Sequence, residues 1–153
     1  SKLNLKYSPI VNIHLKFDRD ISRIINGRFL GLLGTASQWV FKVKEDQVCV
    51  VISAAGKTAE KTKEAIAEQA IRELIECFPQ FSGIKVVSTR VLKEMRATIV
   101  PDADSLKNRP QNRTKIKNLL MAGDWTDTGL PSTIEGAVKS GKSCAEIIEK
   151  DKL

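Results

Sequence analysis

Apolar and polar positions change their period several times along the chain. Val11-Asn12-Ile13-His14-Leu15-Lys16-Phe17 alternates strictly, which predicts a strand with Ile13, Leu15 and Phe17 on a buried face and Asn12, His14 and Lys16 on the other. Gln38–Val43 and Gln47–Ser53 also read as strands, and the short polar link Lys44-Glu45-Asp46 between them predicts a hairpin. Between Ile21 and Gly34 the pattern is irregular, with glycines at 27, 31 and 34 marking turns. From about Thr58 to Cys77 the period becomes that of a helix. Ile66, Ala70 and Leu74, joined by Ala67, Ile71 and Ile75, form one apolar stripe that Pro79 brings to an end. Ile84–Val91 returns to strand character, and a polar loop follows Pro101. Strands around one long helix predict an α+β layer with a mixed or antiparallel sheet.

The last third follows a different plan. Asn118–Gly123 reads as a short buried strand, and Asp124–Pro131 as an irregular turn. A helix is expected next, opened by a capping box in which Ser132 and Glu135 satisfy two free amides reciprocally. Its predicted buried face carries Ile134, Ala137, Val138, Gly141, Ala145 and Ile148, while Gly136, Ser140 and Gly141 let a backbone or a flat ligand approach. Gly136–Ser143 matches the phosphate-loop pattern G-x-x-x-x-G-K-S letter for letter. That motif works only where a strand runs straight into the glycines, whose amides then wrap phosphate at a helix start. Here the expected helix begins before Gly136, so the glycines lie inside it and the match is read as close packing.

Composition changes this picture little. Hydrophobic residues make up 42% and charged residues 28% of 153, which is globular. No apolar run reaches the roughly 20 residues that span a bilayer, and the first residues lack signal-peptide anatomy. A secreted or membrane-spanning protein is therefore not expected; the expected location is cytoplasmic, with peripheral membrane association left open. Cys49, Cys77 and Cys144 are odd in number and far apart, and His14 is the single histidine, so no metal site is predicted. The cysteines read as small buried hydrophobes of a reducing compartment. The net charge of +7 is concentrated in one place, Lys107–Lys117, which has five cations and no acid. No aromatic residue interrupts this run to stack on bases, so it reads as an exposed basic loop rather than a nucleic-acid groove.

The constellation that carries chemistry is the strand end at Gly123-Asp124 followed by a helix N-terminus. Such a terminus offers free amides and about half a positive charge, which stabilise an anionic group or an oxygen that becomes negative during reduction. Asp124 is placed to accept hydrogen bonds from sugar-like hydroxyls. From the residues alone this is a polar ligand site where a strand crosses to a helix.

The run Asn118-Leu-Leu-Met-Ala-Gly-Asp-Trp-Thr-Asp-Thr-Gly-Leu-Pro-Ser-Thr-Ile-Glu-Gly-Ala-Val-Lys-Ser-Gly141 closely resembles the C-terminal FAD motif of the flavin amine oxidase and phytoene desaturase superfamily. Ser8–Arg19, Gln38–Phe41 and Lys93–Thr98 are similar to one branch, the squalene-associated FAD-dependent desaturases called hydroxysqualene dehydroxylases. The resemblance implies FAD as cofactor and an isoprenoid lipid as substrate. It implies roles for Gly123 in close approach, Asp124 at the ribityl or phosphate region, Trp125 beside the flavin, and Pro131, Thr133 and Ile134 where the helix meets the ring. Residues 1–104 would belong to a substrate-binding domain, 105–117 to the basic loop and 118–153 to the FAD-binding domain. His14 and Arg96 are candidate substrate contacts; no catalytic acid, base or nucleophile is assigned.

Two departures qualify the resemblance. Lys16 stands where this branch would carry an aromatic residue, and no G-x-G-x-x-G is present to grip a dinucleotide pyrophosphate. The chain therefore reads as a C-terminal portion lacking the N-terminal dinucleotide-binding portion, and inactive alone. The alternatives are a non-catalytic interaction domain that completes a separate Rossmann-bearing chain, and a basic nucleic-acid-binding module.

Overall fold

The computed structural model describes residues 5–151, which form two compact units, Ser8–Ala97 and a second made of the N-terminal residues to Tyr7 with Thr98 onward. β1 (Tyr7–Phe17), β2 (Phe29–Gly31), β3 (Trp39–Lys44), β4 (Gln47–Ile52) and β5 (Val86–Ile99) build one sheet in the order β2-β3-β4-β1-β5, which belongs to the first unit apart from Tyr7 and Thr98–Ile99. Every pair whose register is described is antiparallel. The architecture is the α+β layer that the alternation predicts, with a fifth strand, β2, in the glycine-rich stretch.

One face of the sheet is buried. Val11, Ile13, Leu15 and Phe17 of β1 meet Val40, Val48, Val50 and Ile52 of the hairpin, and Ile66, Ala67, Ala70 and Leu74 of a helix cover them. Each Ile or Leu so buried contributes about 1.5–3 kcal/mol. The helical stretch is divided: α1 (Gly56–Ala59) is a single turn, and α2 (Lys63–Cys77) starts afresh at Thr62, whose side chain accepts the Ala65 N–H. A 3₁₀ turn at Pro79–Phe81 follows, and Phe81 stacks at 5.1 Å on Phe17.

Glu73 breaks the apolar stripe of α2. It is buried, and its carboxylate accepts the N–H groups of Ser37 (2.8 Å) and Ala36 (3.3 Å) and the Gln69 amide (2.8 Å). Burial pushes its pKa up, but the hydrogen bonds from Ser37, Gln69 and Ala36 outweigh that and hold it below the ordinary Glu value.

In the second unit the structure corrects several expectations. The polar loop after Pro101 holds a short helix, α3 (Ala103–Asn108), capped by Asp102, which accepts the Ser105 N–H. Asn118–Gly123 is not a strand: only Leu120 makes a bridge, to Arg113. A ladder needs a neighbour along its whole length, and the described residues offer none here. The last helix, α4 (Ile134–Asp151), starts one position later than the Ser132–Glu135 box predicts. Thr133 Oγ1 takes the cap role by accepting the Gly136 N–H (3.3 Å), so Glu135 sits one place short of closing the box.

The buried face of α4 also differs. Gly136, Ser140 and Cys144 are inside at i, i+4 and i+8, whereas Ile134, Val138, Gly141, Ala145 and Ile148 are exposed, Ile134 by 86%. Small residues, not large ones, face the rest of this unit, and the apolar stripe points outward. The phosphate-loop look-alike lies in the interior of α4. Cys144 is buried as expected, while Cys49 and Cys77 are half-buried.

Candidate functional site

Within the second unit, Gly123, Asp124, Trp125, Pro131, Thr133 and Ile134 come together on one continuous loop that runs into α4. Two polar clusters hold this loop. In the first, Asn112 Nδ2 donates to Met121 O (2.8 Å) and Ser140 Oγ (2.8 Å). Ser140 Oγ accepts the Gly123 N–H (3.1 Å) and lies 2.7 Å from Thr126 Oγ1, which donates to Gly123 O (2.8 Å). Thr126 and Ser140 are fully buried. The hydroxyl of a small helix residue thus pins the loop to α4, and Gly136 lets the first turn press close: a Cβ there would stand 2.7 Å from Pro131 O.

The second cluster centres on Arg109, which is buried rather than part of an exposed basic loop. Its guanidinium donates to Leu130 O (2.5 Å) and Asp124 O (2.6 Å). Close by, Asp127 N–H reaches Pro110 O (2.8 Å). Sequence reasoning missed Arg109, Asn112, Thr126 and Ser140 because each is a polar residue in a polar stretch; nothing in the local pattern marks them as buried.

Gly123 adopts φ +151°, and a Cβ there would stand 2.3 Å from Trp125 Nε1. The close approach at this glycine is made by the Trp125 indole. Asp124 is half-buried, and its carboxylate has no partner among the described residues. The amides of Trp125, Ile134 and Glu135 likewise have no acceptor among them, while Gly136 and Ala137 donate to Thr133. The loop therefore presents free N–H donors and the positive end of α4 together with an unpaired carboxylate.

His14 and Arg96 lie in the first unit, on the uncovered face of its sheet. Across the strands the register aligns Phe29, Phe41, Cys49 and His14 in one row. His14 Nε2 is 3.8 Å from Cys49 Sγ, a thiol whose pKa burial pushes up. Phe29, Trp39 and Phe41, all more than a third exposed, form a trio with ring centroids 6.0–6.4 Å apart. His14 also lines a cleft of about 390 Å³, together with Lys16, Val43, Gln47, Arg90 and Leu92 among others. Arg90 lines that cleft; Arg96 lies six residues further along β5, its N–H donating to Glu94 (3.0 Å). Lys16, the residue that departs from the branch pattern, faces Asp46 at 3.6 Å.

Comparison with known proteins gives the family. Residues 2–148 match the flavin containing amine oxidoreductase family. A hydroxysqualene dehydroxylase of Sinorhizobium fredii is 32% identical over 146 residues, which is 95% of this chain and 34% of that protein. A 15-cis-phytoene desaturase of an Oncidium hybrid cultivar is 29% identical over 159 residues, 94% of this chain and 27% of the other. A solved structure described as a protoporphyrinogen oxidase from Exiguobacterium sp. 255-15 superposes with a TM-score of 0.67 at 12% identity, covering 97% of this chain and 36% of that one. The chain spans about a third of the length of the curated relatives it matches. With its capped helix and the loop that leads into it inside the matched region, the chain belongs to the flavin containing amine oxidoreductase family.

Proposed function

We propose that residues 123–136 form half of an FAD site, in a chain that is part of an FAD-dependent oxidoreductase acting on a squalene-type or carotenoid-type isoprenoid. The observation that carries this reading is that, among the described residues, the amides of Trp125, Ile134 and Glu135 have no acceptor and the Asp124 carboxylate has no partner. That donor and acceptor set fits the group. The amides at the head of α4 would face a ring edge that gains negative charge on reduction, and Asp124 would accept hydrogen bonds from the ribityl chain. Flavin, when bound, supplies the hydride and electron chemistry. This chain's residues bind it, orient it and bias its charge.

The uncovered sheet face of Ser8–Ala97 supports the substrate class. Phe29, Trp39 and Phe41 give an apolar wall for an isoprenoid chain, and the His14–Cys49 pair gives one polar point on it. Reductive removal of a hydroxyl is the first choice within this class and desaturation the second, following the names of the relatives. The outward stripe Ile134, Val138, Ala145 and Ile148 would pack against the remaining dinucleotide-binding portion, carried on the same polypeptide or on a separate one.

Titrating the chain with FAD while following flavin fluorescence tests the reading. Binding weaker than micromolar, abolished by a proline at Glu135, and no turnover are expected. Micromolar or tighter binding would show that this half is already a complete site, and no binding at millimolar FAD would remove the cofactor reading.

A further inference from the structure

We propose that Arg109 is the positioning residue of this cradle: its guanidinium holds the loop 124–130 in the conformation that turns the loop's free amides toward the cofactor. The inference rests on the FAD reading above and names a residue outside the matching motif.

Arg109 is only 8% exposed, and no carboxylate pairs with it among the described residues. Its Nε–H is buried without an acceptor. A buried cation with so incomplete a shell is costly, and an apolar residue of similar volume would pack more cheaply. What an apolar residue cannot do is hold two carbonyls six residues apart, as the two terminal nitrogens do with Asp124 O at 2.6 Å and Leu130 O at 2.5 Å. The planar fork suits that task, whereas a lysine ammonium is a single point.

The two carbonyls matter for where donors end up. Peptide bonds here are trans, so the C=O and the following N–H point opposite ways. Drawing the Asp124 carbonyl onto the guanidinium therefore turns the Trp125 N–H away from it, and that amide has no acceptor among the described residues. Drawing in the Leu130 carbonyl fixes the peptide that enters Pro131, whose own carbonyl lies against Gly136 at the first turn of α4. One side chain thus sets both ends of the loop that leads into the helix. Its charge also favours an anionic ligand over a neutral one of the same shape.

Hydrogen exchange and FAD titration on the parent chain, Arg109→Lys and Arg109→Ala test this. Both variants should speed exchange at the Thr126, Asp127 and Leu130 amides about tenfold, with α2 unchanged, and weaken FAD binding about tenfold, the loss of one hydrogen bond to a charged group. Methylguanidinium added to Arg109→Ala should restore slow exchange and binding, which a purely space-filling role would not produce. Unchanged exchange and unchanged affinity in both variants would overturn the proposal. Faster exchange in both variants, with a parent chain that binds no FAD, would remove the cofactor reading and leave Arg109 as the holder of the loop. If Arg109→Ala unfolds, α2 loses protection too, and Arg109→Lys then decides.

Discussion

The two units solve the burial problem in opposite ways. The contiguous hydrophobic core, from Val11 to Val91, lies wholly within Ser8–Ala97. In the other unit the buried residues are mainly polar: Ser105, Arg109, Thr126 and Ser140, with Ile99, Gly136 and Cys144 as the exceptions. That unit also turns Ile134, Val138 and Ile148 outward. The first unit is held by apolar area removed from water, the second by hydrogen bonds between a loop and a helix. The outer side of α4 is apolar and its inner side is built of small residues. The strand-like segment 118–123, which forms only a bridge, tells the same story: sequence suited to a sheet, with no sheet beside it.

Breaking the core should have the largest effect. Leu15→Ala removes a fully buried β1 side chain from the core that β1 shares with β4 and α2, and a loss of about 3–4 kcal/mol in urea unfolding is expected. Glu73→Ala should follow at about 2 kcal/mol, because it leaves the Ser37 N–H buried without its acceptor. The same residue gives a pH signature. Its native carboxyl lies below the unfolded value, so its contribution is complete above the ordinary Glu range and is lost as pH falls through the depressed native pKa. Unfolding midpoints measured between pH 7 and pH 3 should fall less steeply for Glu73→Gln than for the parent. Ser140→Ala, which removes the hydroxyl shared by Asn112, Gly123 and Thr126, should cost about 1–2 kcal/mol, with the loss read as faster exchange at Gly123 rather than in the core.

How much of this was legible in the sequence depends on whether a feature is satisfied locally. The alternation in β1 is set by one buried face and stands where the pattern puts it; of the α2 stripe, Ile66, Ala67, Ala70 and Leu74 are buried as expected, whereas Ile75 is exposed and Glu73 takes an inner position. The residues of the motif, Gly123 to Ile134, do gather on one loop and helix start. Hydrophobicity points to the wrong face of α4 because it marks the side that wants cover, while the side that is covered here needs closeness and so carries Gly136 and Ser140. The cap lies one place later than the box predicts because Ser132 and Thr133 are adjacent and either hydroxyl can accept an N3 amide; Thr133 does so here. Arg109 reads as surface because its partners are main-chain carbonyls, and no sequence pattern records those.

The smallest effect is the sharpest test of the contrast. Ile148→Ala deletes more carbon than Ile→Val would, yet Ile148 is 45% exposed on the outward stripe of α4, so a change within about 0.5 kcal/mol is expected. Leu15→Ala and Ile148→Ala remove comparable apolar volume from the same chain. The ratio of their costs therefore measures how unequally the two units use apolar side chains. An Ile148→Ala cost near 2 kcal/mol would mean that the stripe is covered in solution, and sedimentation of the parent would then show self-association that the variant weakens. A cost near zero with a monomeric parent leaves α4 with one face uncovered. Only an added dinucleotide-binding portion, supplied in trans, should then make Ile148 costly to remove, and that increment reads the stripe's unfilled half directly.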